Sequence, residues 1–186
     1  KAANGHDALN GTLSNAGGSI VLSGYGAATA NRTVTVNGTL NADLIDVTYG
    51  VTLDLKKDLD IATLQIGGGT MGSNTQASAV NVGTGVTLTS TTGVNLGGAN
   101  GQGALAGNLN INGGTAVLAA ASFLDGSDSG ITLSGGGTLT MGGDITGTSG
   151  TLTLGEGTLN SSAAWTTSVG VALNAASGKT ATVDTT

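Results

Sequence analysis

Eleven Asp and Glu, five Lys and Arg, and one His supply almost all the titratable chemistry of this 186-residue chain. Their spacing limits what they can do. Asp54, Asp58 and Asp60 fall in Asp54-Leu55-Lys56-Lys57-Asp58-Leu59-Asp60. Three nearby carboxylates are oxygen ligands of the kind calcium takes. Lys56 and Lys57 stand among them and oppose a cation, so the stretch reads as a solvated corner between two strands. Asp125 and Asp128 lie in Asp125-Gly126-Ser127-Asp128-Ser129-Gly130, a loop by composition with weak calcium binding as its alternative. Gly142-Gly143-Asp144 lacks the glycine spacing of the calcium-binding nonapeptide repeat.

Catalytic arrangements have even less to build on. His6 is the only histidine and sits in a Gly/Asn-rich terminal segment, which leaves Ser-His-Asp catalysis and histidine metal ligation without partners. Enzymes that cleave polysaccharides on solenoid scaffolds need clustered carboxylates to move protons at the glycosidic bond, and this sequence assembles no such cluster. Gly67-Gly68-Gly69 and Gly135-Gly136-Gly137 are not followed by Lys-Ser/Thr or a helical pattern, so they read as corners rather than phosphate loops. The reading is of a non-enzyme, with no catalytic residue, metal site or cofactor.

One pattern could recognise a solid. Thr-x-Thr occurs at Thr33/Thr35, Thr87/Thr89, Thr138/Thr140, Thr151/Thr153 and Thr180/Thr182. Threonine on a rigid strand presents a methyl and a hydroxyl, which can match a lattice such as ice. It is also a preferred solvent-facing strand residue, and the irregular spacing of the pairs favours that plainer reading.

The charge distribution narrows the partners. The formal net charge is −6, and no charged residue occurs from Ile61 through Leu124. Lys1, Arg32, Lys56, Lys57 and Lys179 are too few and scattered to follow a phosphate backbone, which excludes nucleic acid. Apolar runs fall far short of the roughly 18 residues of a membrane helix, and the strands are shorter than the ~9–11 residues of a membrane barrel strand. The chain starts at Lys1, with no signal peptide, as a processed or excised segment would. Cys is absent, so disulfides say nothing about compartment.

The scaffold is written in short units. Gly130-Ile131-Thr132-Leu133, Gly137-Thr138-Leu139, Gly150-Thr151-Leu152 and Gly157-Thr158-Leu159 share a glycine followed by alternating residues, and Gly11-Thr12-Leu13 is another copy. In Thr151-Leu152-Thr153-Leu154 the period of two sends Leu to one face and Thr to the other. One or two Leu cannot offset the entropy of ordering a strand of three to five residues, so each strand must stack on copies of itself. A looser phrase repeats at Leu64-Gln65-Ile66-Gly67, Val80-Asn81-Val82-Gly83, Val94-Asn95-Leu96-Gly97 and Leu109-Asn110-Ile111-Asn112. Such regularity marks a repeat architecture. The expected fold is all-β, a parallel β-solenoid (β-helix) of short Gly-bounded strands with roughly 15–22 residues per coil. It should form a single domain over 1–186, since no linker interrupts the composition. The pairs Asn4-Gly5, Asn10-Gly11 and Asn37-Gly38 are expected turns, and 119–124 is the only stretch expected to form a helical turn.

Gly135 to Gly143 (GGGTLTMGG) and Ser149 to Asn160 (SGTLTLGEGTLN) resemble the strand repeats of bacterial autotransporter passengers and haemagglutinin-like surface adhesins. The resemblance covers 130–160 well and the rest in style. It implies a right-handed β-helix on the bacterial cell surface, acting in adhesion to glycans, in biofilm or in a surface coat. It carries over no site residues.

Solenoid ends expose strand edges, usually blunted by Pro, charge or a covering helix. Pro is absent and no capping helix is evident. The reading is therefore an extracellular structural protein that self-associates end to end into a filament or matrix. A glycan-binding adhesin and an ice-binding protein are the alternatives.

Overall fold

A computed structural model describes residues 6–24, 31–68, 76–97, 105–126 and 128–184. The expected turn at Asn4-Gly5, Gly69 of the first glycine triplet, Ser127 of the Asp125 loop and the side chain of His6 lie outside the described residues. The strands follow one another coil by coil. They are β1 (His6–Leu9) and β2 (Thr12–Ser23), β3 (Arg32–Val36) and β4 (Thr39–Thr48), then β5 (Val51–Leu55), β6 (Leu59–Ile61) and β7 (Thr63–Ile66). The middle coils hold β8 (Ser78–Gly83), β9 (Thr87–Ser90) and β10 (Val94–Leu96), followed by β11 (Gly107–Asn112), β12 (Thr115–Leu118) and β13 (Ser122–Leu124). The last are β14 (Gly130–Ser134), β15 (Gly137–Met141) and β16 (Ile145–Thr146), β17 (Thr151–Leu154) and β18 (Gly157–Ser161), and β19 (Gly170–Leu173) and β20 (Ala181–Asp184).

Among the described residues every pairing between these strands is parallel, apart from an isolated antiparallel bridge between Gly83 and Gly113, and the strands form three sheets. The first has eight strands, β1-β3-β5-β8-β11-β14-β17-β19. The second has six, β6-β9-β12-β15-β18-β20, and the third has six, β2-β4-β7-β10-β13-β16. The coils from β5 to β16 visit the faces in that order, so the chain is a three-faced parallel β-solenoid. Among the described residues no helix is long and apolar enough to cross a membrane.

The period-two pattern fixes what faces inward. On the first sheet Val34, Leu53, Val80, Leu109, Ile131, Leu152 and Val171 stand in one column, and Val36, Leu55, Val82, Ile111, Leu133, Leu154 and Leu173 in the next. From Leu53 to Leu152 the first column is fully buried. The second sheet adds Leu59, Leu88, Ala116, Leu139 and Leu159, and the third Ile20, Ile45 and Leu64. This narrow aliphatic interior needs few aromatics, because like side chains stack at the strand spacing of ~4.8 Å.

Coil length varies more than the phrases suggest. The advance on the first sheet is 19 residues from Thr33 to Thr52 and 22 from Asn108 to Gly130, within the expected range, but 29 from Asn81 to Asn110. The repeated phrase marks faces rather than coils. Leu64 pairs with Val94 on the third sheet, whereas Val80 pairs with Leu109 on the first. The β2–β4 pair is longer than the short strands expected. It continues through a corner, with a register shift between Asn15 and Ser19, and β4 pairs with β7 while also packing on β6. The expected helical turn at 119–124 is instead a corner leading into β13.

Corners hold the faces together. Asn37 and Gly38 both donate their backbone N–H to the Leu9 carbonyl, at 2.9 and 2.8 Å, and the Asn37 amide donates to Asn10 Oδ1 at 2.9 Å. The Asn-Gly pairs are therefore stacked corners rather than hairpin turns. A Cβ on Gly38 would lie 1.8 Å from the Gly11 carbonyl oxygen, so close approach demands glycine there. Buried serines satisfy other corner groups. Ser90 Oγ donates to the Gly93 carbonyl at 2.6 Å, and Ser78 Oγ accepts from Gly50 N–H at 3.2 Å. Buried hydroxyls without such partners would be costly.

Candidate assembly interfaces and side faces

The inward alternation that fills the interior has no further coil to meet at the described ends. Among the described residues the large hydrophobic side chains that remain exposed are Leu13, Val21, Val171, Leu173 and Val183. All lie on terminal strands: β2 at the N-terminal end, and β19 and β20 at the C-terminal end. Four of them occupy inward columns. Leu13 stacks on Leu40, Val171 on Leu152, Leu173 on Leu154 and Val183 on Leu159. These are core positions left half-finished, and Leu173 is 75% exposed.

The N-terminal end carries a largely apolar pit of about 210 Å³ lined by Asp7, Ala8, Leu9, Leu13, Leu22, Val34, Val36 and Leu40. At the C-terminal end Val171, Leu173 and Val183 are left uncovered in their inward columns. Lys179, between β19 and β20, pairs with Glu156 at 3.0 Å and ties the last coil to the one before it. Both groups are well exposed, so the pair adds little stability. A charge stands in an inward column at the N-terminal end. Asp7 pairs with Val34 in the inward column of the first sheet, so an exposed carboxylate stands where every later coil has an aliphatic residue.

On the outer face of the first sheet the Asn110 amide donates to Asn81 Oδ1 at 2.9 Å, and the Asn81 amide donates to Asp54 Oδ1 at 2.5 Å. This ladder floors a groove of about 410 Å³ that Lys56, Asn112, Thr132 and Ser134 also line. The sequence held its signal in the central Asn of Val80-Asn81-Val82 and Leu109-Asn110-Ile111, which the reading above treated only as a repeat. Asp54 thus belongs to an amide ladder, while Asp58 Oδ1 accepts the Thr87 N–H at 2.8 Å. Lys56, Lys57, Asp58 and Asp60 are exposed.

Asp125 and Asp144 also serve corners, whereas Asp128 is exposed. Asp125 Oδ1 accepts Gly126 N–H at 3.0 Å and the Thr148 hydroxyl at 2.5 Å. Asp144 Oδ1 accepts the backbone and hydroxyl of Thr166 at 2.6 and 3.0 Å. Among the described residues no three His, Cys, Asp or Glu side chains converge in a way that could hold a metal. Gly67, Gly68, Gly135 and Gly136 all have positive φ, the conformation of a corner.

Variable coil lengths hide a regular feature of the second sheet. Thr87, Thr115, Thr138, Thr158 and Thr182 form one continuous outward column. The column beside it is mixed: Asp60, Thr89, Val117, Thr140, Asn160 and Asp184. Thr33/Thr35 and Thr151/Thr153 lie on the first sheet instead.

Asp46, between Val21 and Gln65 on the third sheet, went unnoticed in the sequence. Its Oδ1 is buried without a hydrogen-bond partner, and desolvation raises its pKa above the ordinary 3.8. A raised folded-state pKa means that the native state holds the proton more tightly than the unfolded chain does. The stability this supplies is full below the ordinary value and is lost as pH rises through the folded value. Asp46→Asn is therefore expected to raise the melting temperature at pH 7 by a few degrees, with the gain vanishing below the ordinary carboxylate value. Thermal melts of both proteins from pH 3 to 8 check this.

Compared with known proteins, the chain matches no family model, no curated protein and no solved structure.

Proposed function

We propose that this chain is a structural protein that associates end to end into an extracellular filament or matrix on a bacterial surface. The observation that carries the reading is the confinement of the exposed large hydrophobics, among the described residues, to the terminal strands. Edge strands offer unpaired backbone groups to another strand, and here they also offer unfinished aliphatic columns. The solenoid needs no chemistry to do this work. Its sheets extend by adding a coil, and an added coil can come from another molecule.

Sedimentation velocity and negative-stain electron microscopy across a concentration series test the proposal. Growing oligomers and rods of constant width are expected. Monomers at every concentration would overturn it.

The threonine column on the second sheet supports a second reading, ice binding, because its spacing is set by the coils rather than by the sequence. The neighbouring column weakens it, since Val117, Asn160 and Asp184 interrupt a second row of threonines. Thermal hysteresis separates the two readings: ice binding predicts a freezing-point gap, and the structural role predicts none. An adhesin would use the polar groove over Asp54, Asn81 and Asn110, where no aromatic side chain is present to stack on a sugar.

A further inference from the structure

We infer that residues 162–169 form a guard strap, latched by Asp144, that closes the β16 edge of the third sheet against strand addition by a second copy of the chain. The strap closes this edge whether or not copies associate through their ends.

The path of the chain creates the need for it. After β18 the chain must cross the third face before β19 returns it to the first sheet. Earlier coils make that crossing with a strand. Here Ser162-Ala163-Ala164-Trp165-Thr166-Thr167-Ser168-Val169 lacks the alternation of aliphatic and polar residues, and a single bridge, Thr167 opposite Ile145, joins it to the sheet. β16 is left as the last strand of the third sheet, only two residues long.

Backbone accounting shows what the strap does at that edge. The Asp144 carbonyl faces inward along the sheet, accepting the Ser122 N–H of β13 at 2.7 Å. On the opposite side Ile145 N–H donates to the Thr166 carbonyl at 2.9 Å, and the Ile145 carbonyl accepts Ser168 N–H at 3.1 Å. Gly147 N–H donates to Ser168 Oγ at 3.2 Å, and the Ser168 hydroxyl donates to the Gly147 carbonyl at 3.2 Å. All four groups that Ile145 and Gly147 would offer to a further strand are taken. The strap in turn offers an arriving strand little, because two of its own amides are held by side chains: Thr166 N–H by Asp144 Oδ1 at 2.6 Å and Val169 N–H by Thr167 Oγ1 at 3.2 Å.

Apolar anchors fix the strap, and one carboxylate latches it. Val169 is buried and Trp165 packs half-buried on the aliphatic interior. Between them Asp144 Oδ1 accepts both the N–H and the hydroxyl of Thr166, and hydrogen bonds to an ionised acceptor are the stronger kind. Asp144 is itself exposed, so the latch can be removed without touching the interior. An open strap frees the backbone groups of Ile145 and Gly147, the feature that lets a sheet edge accept a strand from another chain.

Asp144→Ala removes the latch, whereas Asp144→Asn keeps an oxygen acceptor in its place. In the alanine variant the Ile145 and Gly147 amides should exchange with deuterium about tenfold faster, while the Ile131 amide of the first sheet keeps its rate. Emission of Trp165, the only tryptophan, should shift to the red. The weight-average mass in sedimentation should exceed that of the unmodified chain at equal concentration, a comparison that holds whether or not the unmodified chain assembles. Asp144→Asn should match the unmodified chain in all three measurements. Ser168→Ala, which removes both side-chain bonds to Gly147 at an exposed position, should reproduce the faster exchange at Gly147. Unchanged exchange at Ile145 and Gly147 in the Asp144→Ala protein, or equal acceleration at Ile131, would overturn the latch. Faster exchange at the edge with no added association would overturn the guard role.

Discussion

Leu109→Ala is expected to lower the stability of the solenoid by about 2–5 kcal/mol, and Leu109→Asp to prevent folding. Leu109 is fully buried and stands between Val80 and Ile131 in the middle of the first-sheet column. Truncation leaves a void that the neighbouring coils cannot close, because their spacing is fixed by backbone hydrogen bonds on both sides. A carboxylate at the same point would be an unpaired charge in an aliphatic interior. A domain of this size has roughly 5–15 kcal/mol of stability in total, so the alanine variant loses a large share and the aspartate variant all of it. Position in the stack matters as much as residue type. Leu173→Ala, in the neighbouring column but at the open end, should change stability by less than about 0.5 kcal/mol, as at ordinary surface positions. Chemical denaturation of the three variants measures the contrast. Similar losses at Leu109 and Leu173 would contradict the assignment of Leu173 to an open end.

Gly97→Ala is the second large effect, with an expected loss of more than about 4 kcal/mol. Gly97 has φ +68°, and a Cβ built there lies 1.9 Å from the Asp125 carbonyl oxygen. A non-glycine residue held in the left-handed region costs about 1–3 kcal/mol by itself. The clash adds to that cost because its other partner is backbone. The same carbonyl belongs to a corner already tied down, since Asp125 N–H donates to the Leu96 carbonyl at 2.8 Å. Relief would therefore require two coils to move apart. By contrast Gly85, with φ +75° and nothing within 4 Å of its Cβ position, should tolerate alanine at the conformational cost alone. Melting temperatures of Gly97→Ala and Gly85→Ala should differ widely; equal values would show that crowding between coils does not constrain these corners.

Much of this was legible before any coordinates. Thr151-Leu152-Thr153-Leu154 declares its inward and outward faces, and the glycines on either side of it mark corners, because strand alternation and glycine's conformational freedom are local properties. The coil path was less legible. Val80-Asn81-Val82-Gly83 and Val94-Asn95-Leu96-Gly97 look like successive copies but occupy different sheets, since any inward-outward-inward strand ending at a glycine corner suits more than one face. The threonine column was hidden for a related reason: coils of unequal length bring Thr87, Thr115, Thr138, Thr158 and Thr182 into line although their sequence spacing is irregular.

The features that matter most at the ends depend on register. Nothing near Asp7 in the sequence says that it stands over Val34, so its place in an aliphatic column emerges only from pairing across a coil. Asp46 is similar, a single carboxylate in an alternating strand whose burial is decided by what lies beside it. The amide ladder from Asp54 through Asn81 to Asn110 was half visible, as asparagine at the centre of a repeated phrase, but Asp54 belongs to no copy of that phrase.

Cryo-electron microscopy of the assembled chain tests the central claim most directly. With eight strands in the first sheet at a spacing of ~4.8 Å, end-to-end stacking predicts filaments whose strands lie across the axis and whose subunits repeat at about 38 Å along it. Subunits joined through their side faces, or a chain that remains monomeric rods at every concentration, would contradict the account.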